Sequence, residues 1–244
     1  MTKSVPQTNE PDAQKKSIFH LPIQKNSQIL ALFAIACTAI VGLVNELTKD
    51  EIQAQAQQQL LRTLDSIIEP NRYDNNITED CVNFSTTGLN GQTNSAMQTA
   101  YIARKAGKPI AIAMTNTAPD GYNGNIDLIV AINMDESVSG VRVLNHKETP
   151  GLGDKVELRK SDWVTSFTGK QILSDTDSRW AVTKDDGMFD QFTGATITPR
   201  AVVKSVRQTL LYFKENKQAL LARPNACLIN NEQTTESAEV SDDK

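Results

Sequence analysis

The stretch "NIDLIVAINMDESVSGVRVLNH", residues 125–146, decides the fold of the larger part of the chain. Large apolar residues occupy alternate positions in its first half, and two valines repeat that spacing in the second half: Ile126, Leu128, Val130, Ile132, Val141 and Val143. Alternation with a period of two is typical of β-strands that bury one face. The polar residues Asp135, Glu136 and Ser137 lie between the halves and predict the turn of an antiparallel hairpin.

The flanking sequence extends this pattern into a sheet with helices. "MQTAYIARKAGKPIAIAMTNT", residues 97–117, predicts two more strands around a turn at Lys105–Lys108. Further along, Ser161 is an N-cap signal for a short helix in "SDWVTSF", and "RWAVTKDDGMFD", residues 179–190, predicts a short strand and a turn. The sequence therefore predicts an α+β fold, an antiparallel meander with helices packed on it.

An uncharged stretch, "ILALFAIACTAIVGLV" from Ile29 to Val44, lies near the N-terminus. With its flanks, residues 27–47 form a helix of about 30 Å, which matches the hydrocarbon core of a bilayer. A buried core helix is one alternative, but no comparably apolar stretch follows that could bury it. A cleaved signal peptide is the other, and Ala54-Gln55-Ala56 fits a cleavage site, although it lies well past the apolar run. We interpret residues 27–47 as an uncleaved transmembrane signal anchor.

Lysines are distributed unevenly around this span. Only Lys49 follows it closely, among acidic residues, whereas four lysines precede it: Lys3, Lys15, Lys16 and Lys25. Positive charge stays on the cytoplasmic side of a membrane. Residues 1–26 are therefore predicted to be a polar cytoplasmic tail, and the chain after the span lies outside. In a Gram-negative bacterium this describes a single-pass protein of the cell inner membrane with a periplasmic soluble domain.

Three further segments follow the span. Residues 48–75 are predicted to be a helical connector that Pro70 closes, because apolar residues recur at helical spacing: Leu60, Leu61, Leu64, Ile67 and Ile68. Residues 76–227 form the predicted folded domain. Residues 228–244 carry five acidic residues against one lysine and are predicted to be a disordered acidic tail.

Composition excludes several classes of function. The net charge is −4 and aromatics make up 5% of the chain, so no basic or base-stacking surface for nucleic acid is expected. The two histidines, His20 and His146, lie far apart, and the sequence has no CxxC or HExxH motif, which argues against a zinc or iron–sulfur site. Cys81 and Cys227 would lie in an oxidising compartment, where they either pair or remain two free thiols.

The stretch "DQFTGATITPRAV", residues 190–202, introduces the last helix. Proline is favoured at the first helical position, so Pro199 is predicted to begin the helix and Thr198 to be its N-cap. The packed face follows at helical spacing: Val202, Val206, Leu210 and Phe213. Thr198 could serve only as a cap, but a helix N-terminus beside Gly194 and Ala195 would also hold a phosphate group.

This stretch resembles the flavinylation motif of FMN-binding domains, an aspartate followed by Ser/Thr-Gly-Ala-Ser/Thr-x-Ser/Thr. The loop "ETPGLGDK", residues 148–155, resembles the second signature of the same domain. Both motifs, their order and the single N-terminal span are similar to the G subunits (RnfG/RsxG) of the Rnf/Rsx electron transport complexes. The C subunit of the sodium-translocating NADH:quinone reductase shares the domain and is an alternative. A third alternative is a membrane-anchored binding module with no cofactor.

The resemblance implies a role for each motif residue. Thr198 would carry FMN as a covalent phosphoester, and Asp190 would be recognised by a flavin transferase that uses FAD as donor. The flavin would also contact residues from both motifs: Glu148, Thr149, Gly151, Leu152, Gly194, Ala195 and Thr196. The partners would be the membrane lipid and the other membrane and iron–sulfur subunits of the complex. The chain alone would not be catalytic and would act as a redox carrier within an ion-translocating oxidoreductase.

Overall fold

The structure is a computed structural model that describes residues 20–85 and 97–227, with side chains from Lys25 onward. Its helices and strands are, in chain order, α1 (His20–Ile67), β1 (Cys81–Ser85), β2 (Met97–Lys105), β3 (Lys108–Gly121), β4 (Gly124–Asn133), β5 (Val138–Asn145) and α2 (Ile197–Leu221). The chain divides into two units, one that ends at Gln55 and one that begins at Ala56. The predicted α+β architecture is confirmed.

The N-terminal unit consists of the first part of α1, as far as it is described. Its large apolar side chains are exposed, for example 69% of Ile29 and 67% of Phe33. The helix is long and apolar enough to cross a membrane. Such exposure is costly in water and favourable in lipid, so the alternative of a buried core helix is wrong. The helix already begins at His20, before the predicted span, and residues 1–19 of the predicted tail lie outside the described residues.

The second unit is built on one five-stranded antiparallel sheet with the order β1-β2-β3-β4-β5. Neighbours along the chain are therefore neighbours in the sheet, which confirms the predicted meander. β3 and β4 pair across Met114 and Val130, and β4 and β5 pair across Val130 and Val141. β1 lies outside the predicted strands because its five residues, "CVNFS", are too short for an alternating pattern to be distinct.

Both faces of the sheet are covered. One face packs against α2 and the loops before it, with β4 contributing Ile126, Leu128, Val130 and Ile132. The other face buries Ile129 and Ala131 of β4 under the C-terminal end of α1, where Leu64 and Ile67 lie. The helix end approaches β5 closely, because a Cβ at Gly140 would lie 2.9 Å from the Ile67 Cβ. Burial on both faces explains why the central part of β4, residues 128–132, contains no polar residue.

The segment between β5 and α2 contains short 3-10 helices and turns. Ser161 caps the helix Asp162–Phe167 as predicted, since its hydroxyl accepts the Trp163 N–H at 3.1 Å. The strand predicted in residues 179–190 is wrong. Only an isolated bridge joins Val182 to Phe189, around a 3-10 helix at Thr183–Asp185, because the intervening turn leaves no room for a ladder.

Cys81 and Cys227 form a disulfide with a Cα–Cα distance of 5.4 Å. The bond joins the first residue of β1 to the segment that follows α2, so the first of the two alternatives for these cysteines is correct. The predicted acidic tail at residues 228–244 lies outside the described residues.

Candidate functional site

A cavity of about 300 Å³ lies at the N-terminus of α2. It is lined by residues from three segments of the second unit: Tyr122, Glu148, Thr149, Leu152, Gly153, Gly194, Ala195, Thr196, Ile197 and Thr198. The structure thus brings together nearly all of the predicted cofactor-binding residues, which are far apart in sequence. Its volume is at the lower end of the range typical of small-molecule sites.

The helix that forms one wall begins earlier than predicted. Ile197 is its first residue and Thr196 its N-cap, whereas Thr198 and Pro199 occupy the second and third helical positions. Pro199 is tolerated there because the first four N–H groups of a helix have no partner within it. The predicted N-cap role of Thr198 is therefore wrong, and its hydroxyl is available for a different contact.

That contact is with Glu148. The Thr198 hydroxyl donates a hydrogen bond to Oε2 of Glu148 across 50 residues of sequence. Both side chains are buried, with 1% of Thr198 and 5% of Glu148 exposed. A buried carboxylate is rare unless it is hydrogen-bonded, and Thr198 supplies one of the bonds that Glu148 needs. This hydrogen bond connects the two sequence motifs.

The other groups of Glu148 are also bonded. Its Oε1 accepts the backbone N–H of Asn123 at 3.0 Å, and its own N–H donates to Nδ1 of His146 at 3.0 Å. Because Nδ1 accepts, the ring hydrogen of neutral His146 lies on Nε2, which donates to Glu157 at 2.6 Å. These bonds hold Glu148 in one position between the β3–β4 turn, the loop and α2.

Glycine makes this arrangement possible at Gly153. A Cβ on this residue would lie 2.8 Å from Oε2 of Glu148 and 2.9 Å from Oγ1 of Thr198. Any larger residue would push against the buried pair. The loop around it is closed by the carbonyl of Thr149, which accepts N–H groups from Leu152 and Gly153 at 3.1 Å.

Two predicted residues lie outside the cavity lining. Gly151 is exposed and supplies the positive φ of +78° that the turn requires. Asp190 is also exposed, and its backbone carbonyl accepts the indole N–H of Trp163 at 2.7 Å. Trp163 in turn packs edge-on against Phe192 at 5.1 Å, so an aromatic cluster fixes the start of the motif.

Three lining residues were not predicted from the sequence: Tyr122, Gly153 and Ile197. Gly153 lies inside the quoted "ETPGLGDK" loop, and its place in that motif was a usable signal. Tyr122 lies in the β3–β4 turn, and no sequence pattern connects that turn with the motifs. Tyr122 and Ile197 are exposed at the rim of the cavity.

No basic side chain supplies positive potential within the lining of the cavity. Among the residues that line it, none is lysine or arginine. Arg200 follows Thr198 closely but is bound to Asp185 at 2.6 Å, and these hydrogen bonds lower the pKa of the Asp185 carboxyl. Positive potential for a phosphate would therefore come from the free N–H groups and the dipole of α2.

A larger cavity of about 530 Å³ lies between the C-terminal end of α1 and β5. Its lining includes Arg62, Arg142 and Arg159, and none of the motif residues. It is wider and more polar, but its lining includes no hydroxyl at a helix N-terminus and no glycine packed against a buried carboxylate. The residues of the two sequence motifs therefore meet in the smaller cavity and not in this one.

Comparisons with known proteins identify the family of this chain. Residues 121–211 match the FMN-binding domain family, and residues 16–67 match the RnfG N-terminal region. The chain is 52% identical over 210 residues to the G subunit of the ion-translocating oxidoreductase complex of Shewanella loihica, covering 86% of this chain and 98% of the relative. The corresponding protein of Vibrio atlanticus is 52% identical over 205 residues, covering 84% and 97%.

The fold and the site together define a membrane-anchored protein with an FMN-binding domain. The chain belongs to the family of G subunits of the ion-translocating oxidoreductase complexes. The sequence-based choice of this family over the C subunit of the sodium-translocating quinone reductase is confirmed, and so is the expectation of an FMN domain rather than a cofactor-free module.

Proposed function

We propose that this chain is a redox carrier that holds FMN covalently, as a phosphoester on Thr198, within an ion-translocating electron transport complex. Bound FMN would supply one- and two-electron transfer. One observation carries the proposal: both sequence motifs meet in a single cavity at the N-terminus of α2, and Thr198 belongs to its lining. In this proposal the chain converts no substrate of its own and exchanges electrons with its partner subunits.

The residues of the cavity fit FMN. The backbone N–H groups of Ile197 and Thr198 lie in the first turn of α2, where the helix offers them no carbonyl acceptor. They are therefore available to a phosphate. Gly194, at φ +82°, and Ala195 leave space for a bulky group beside the backbone. The apolar side chains of Leu152, Tyr122 and Ile197 would lie against the isoalloxazine ring, with Thr149 and Gly151 in the same loop.

Asp190 has a different role in the proposal. Its exposed carboxylate lies upstream of Thr198 on a backbone segment that Trp163 holds in place. That position suits recognition by the flavin transferase that delivers FMN from FAD. An Asp190→Asn variant would then take up flavin more slowly, while its folding would be unchanged.

We place the soluble unit in the periplasm and the N-terminus in the cytoplasm of a bacterial inner-membrane protein. The lysine excess before the span supports this orientation. The Cys81–Cys227 disulfide supports it independently, because such bonds persist in oxidising compartments. The partners are the other membrane and iron–sulfur subunits of the complex, and covalent attachment would prevent loss of FMN where no cytoplasmic pool replaces it.

Two measurements test this function. The full chain, produced with a flavin transferase and purified in detergent, should keep a flavin absorbance spectrum after denaturation and removal of small molecules. A reporter enzyme that is active only in the periplasm should be active when it is fused after residue 60. A colourless denatured chain would refute the covalent carrier, and a cytoplasmic reporter signal would refute the orientation.

A further inference from the structure

We propose that Glu148 is the group that takes the proton from Thr198 when FMN is attached. This inference rests on the proposed function, since it concerns the step in which Thr198 becomes the flavin carrier. Glu148 touches the reacting atom directly: its Oε2 accepts the hydrogen bond from the Thr198 hydroxyl.

The contact orients the nucleophile. A threonine hydroxyl is a weak nucleophile at its ordinary pKa and is activated by an adjacent base. Among the described side chains, Glu148 is the carboxylate whose hydrogen bond to Thr198 is observed, and the residues lining the cavity include no other acid. In phosphoryl transfer to a hydroxyl, a positioned carboxylate commonly accepts the proton. Glu148 therefore has both the location and the chemistry for this step.

The step balances without any further reactant. The Thr198 Oγ1–H bond breaks and its proton moves to Oε2 of Glu148. Oγ1 forms a bond to the phosphorus on the FMN side of FAD, the P–O bond to the AMP half breaks, and AMP leaves with that electron pair. No group is oxidised or reduced. Glu148 becomes neutral as the phosphate arrives, so two anions do not face each other in the cavity.

The surroundings of Glu148 fit a fixed proton acceptor. Its Oε1 is held by the Asn123 N–H, which leaves Oε2 for Thr198. Gly121 and Gly153 flank the carboxylate, because a Cβ on either would lie less than 3.0 Å from one of its oxygens. Neither neighbour can be enlarged without displacing Glu148, and the carboxylate is thereby confined to one position beside Oγ1.

Glu148→Gln is the informative variant. Glutamine has the same shape, and its amide oxygen can still accept from Asn123 while its NH₂ group donates to Oγ1 of Thr198. Both partners remain bonded, so the protein should fold, but the proton acceptor is gone. Asp80→Asn is the matched control, since Asp80 is another partly buried carboxylate that bonds Asn75 and Arg104 and does not line the cavity.

The experiment measures FMN attachment to full-length protein in detergent by purified flavin transferase with FAD, followed by flavin fluorescence of the denatured chain. Glu148→Gln should lower kcat for attachment about 10²-fold, the usual contribution of a positioned base, with KM for the protein substrate unchanged. Near-UV circular dichroism of both variants should match the parent, and Asp80→Asn should react at the parent rate.

Attachment to Glu148→Gln at the parent rate, or an increase in KM alone, would overturn the proposal. A Thr198→Ala protein, assayed in parallel, separates this outcome from failure of the proposed function. Flavin uptake by Thr198→Ala would refute the carrier residue itself, whereas normal uptake by Glu148→Gln with none by Thr198→Ala would refute only the proton acceptor. If Glu148→Gln loses its near-UV spectrum, Glu148→Asp is the second variant, because it keeps a carboxylate. Flavin attachment to Glu148→Asp would support the proposal. Failure of attachment to a folded Glu148→Asp protein would contradict it.

Discussion

Replacing Gly153 by alanine would introduce one methyl group at the centre of the site. The new Cβ would lie 2.8 Å from Oε2 of Glu148 and 2.9 Å from Oγ1 of Thr198, closer than real Cβ contacts allow. Gly153 does not have a positive φ, so its backbone accepts alanine and the whole cost is steric. The two buried side chains must move apart.

The magnitude follows from two costs, the clash of the new methyl group and the weakening of the Thr198–Glu148 hydrogen bond. Overpacking a buried site costs about 1–3 kcal/mol, and a hydrogen bond to a charged group contributes about 1.5–3 kcal/mol. Because Glu148 is confined, movement relieves only part of the clash and weakens the hydrogen bond, so both costs contribute in part and we expect the free energy of unfolding to fall by about 2–4 kcal/mol. For a domain of this size, Tm should fall by roughly 5–15 °C.

The assay is thermal unfolding of the full chain in detergent, monitored by tryptophan fluorescence, together with covalent flavin content. Gly107→Ala is the matched control. It lies in the β2–β3 turn, where a Cβ meets nothing within 4 Å but φ is +76°, so it should cost about 1–2 kcal/mol through backbone strain alone. The control should keep its flavin, whereas Gly153→Ala should lose most of it. A Gly153→Ala protein with parent stability and full flavin content would refute the close packing of Gly153, Glu148 and Thr198.

Two further predictions concern stability outside the cavity. Reduction of the Cys81–Cys227 bond, which spans a sequence separation of 146, should lower stability by about 2–4 kcal/mol in thermal unfolding; alkylation of both thiols in unreduced, denatured protein would contradict the bond. Burial raises the pKa of Glu157, but hydrogen bonds from Arg159 and His146 outweigh burial and the net pKa is lowered. The contribution of Glu157 to stability should therefore be fully present above the unfolded carboxyl pKa of about 4.3 and be lost as pH falls through the folded pKa. The stability difference between the parent and Glu157→Gln should shrink on acidification. A difference that grows would contradict this sign.

Sequence patterns predicted those strands and helices whose residues show a clear local periodicity. The two hairpins followed from alternation and turn residues, and the packed face of α2 followed from its spacing. The start of α2 was misplaced because proline is acceptable throughout the first turn of a helix, so Pro199 alone does not fix which position it occupies. β1 was missed because five residues carry too little pattern.

The site was only partly predictable for a related reason. The motif residues were identified by resemblance, and the cavity brings nearly all of them together. The bond between Thr198 and Glu148 was not predicted, since it joins residues 50 apart and depends on how the loop packs against α2. Asn123 and Tyr122 belong to the site only because the β3–β4 turn reaches the same end of the sheet, which is a property of the tertiary fold.

The carrier assignment is tested most directly by locating FMN on the chain. Protein produced with the flavin transferase is digested, and the peptide that contains residues 190–202 is sequenced by mass spectrometry. We predict one FMN per chain on Thr198, retained in part by Thr198→Ser and absent from Thr198→Ala, while Thr193→Ala and Thr196→Ala keep the modification. FMN on Thr193 or Thr196, or full flavin content in a folded Thr198→Ala protein, would contradict the account.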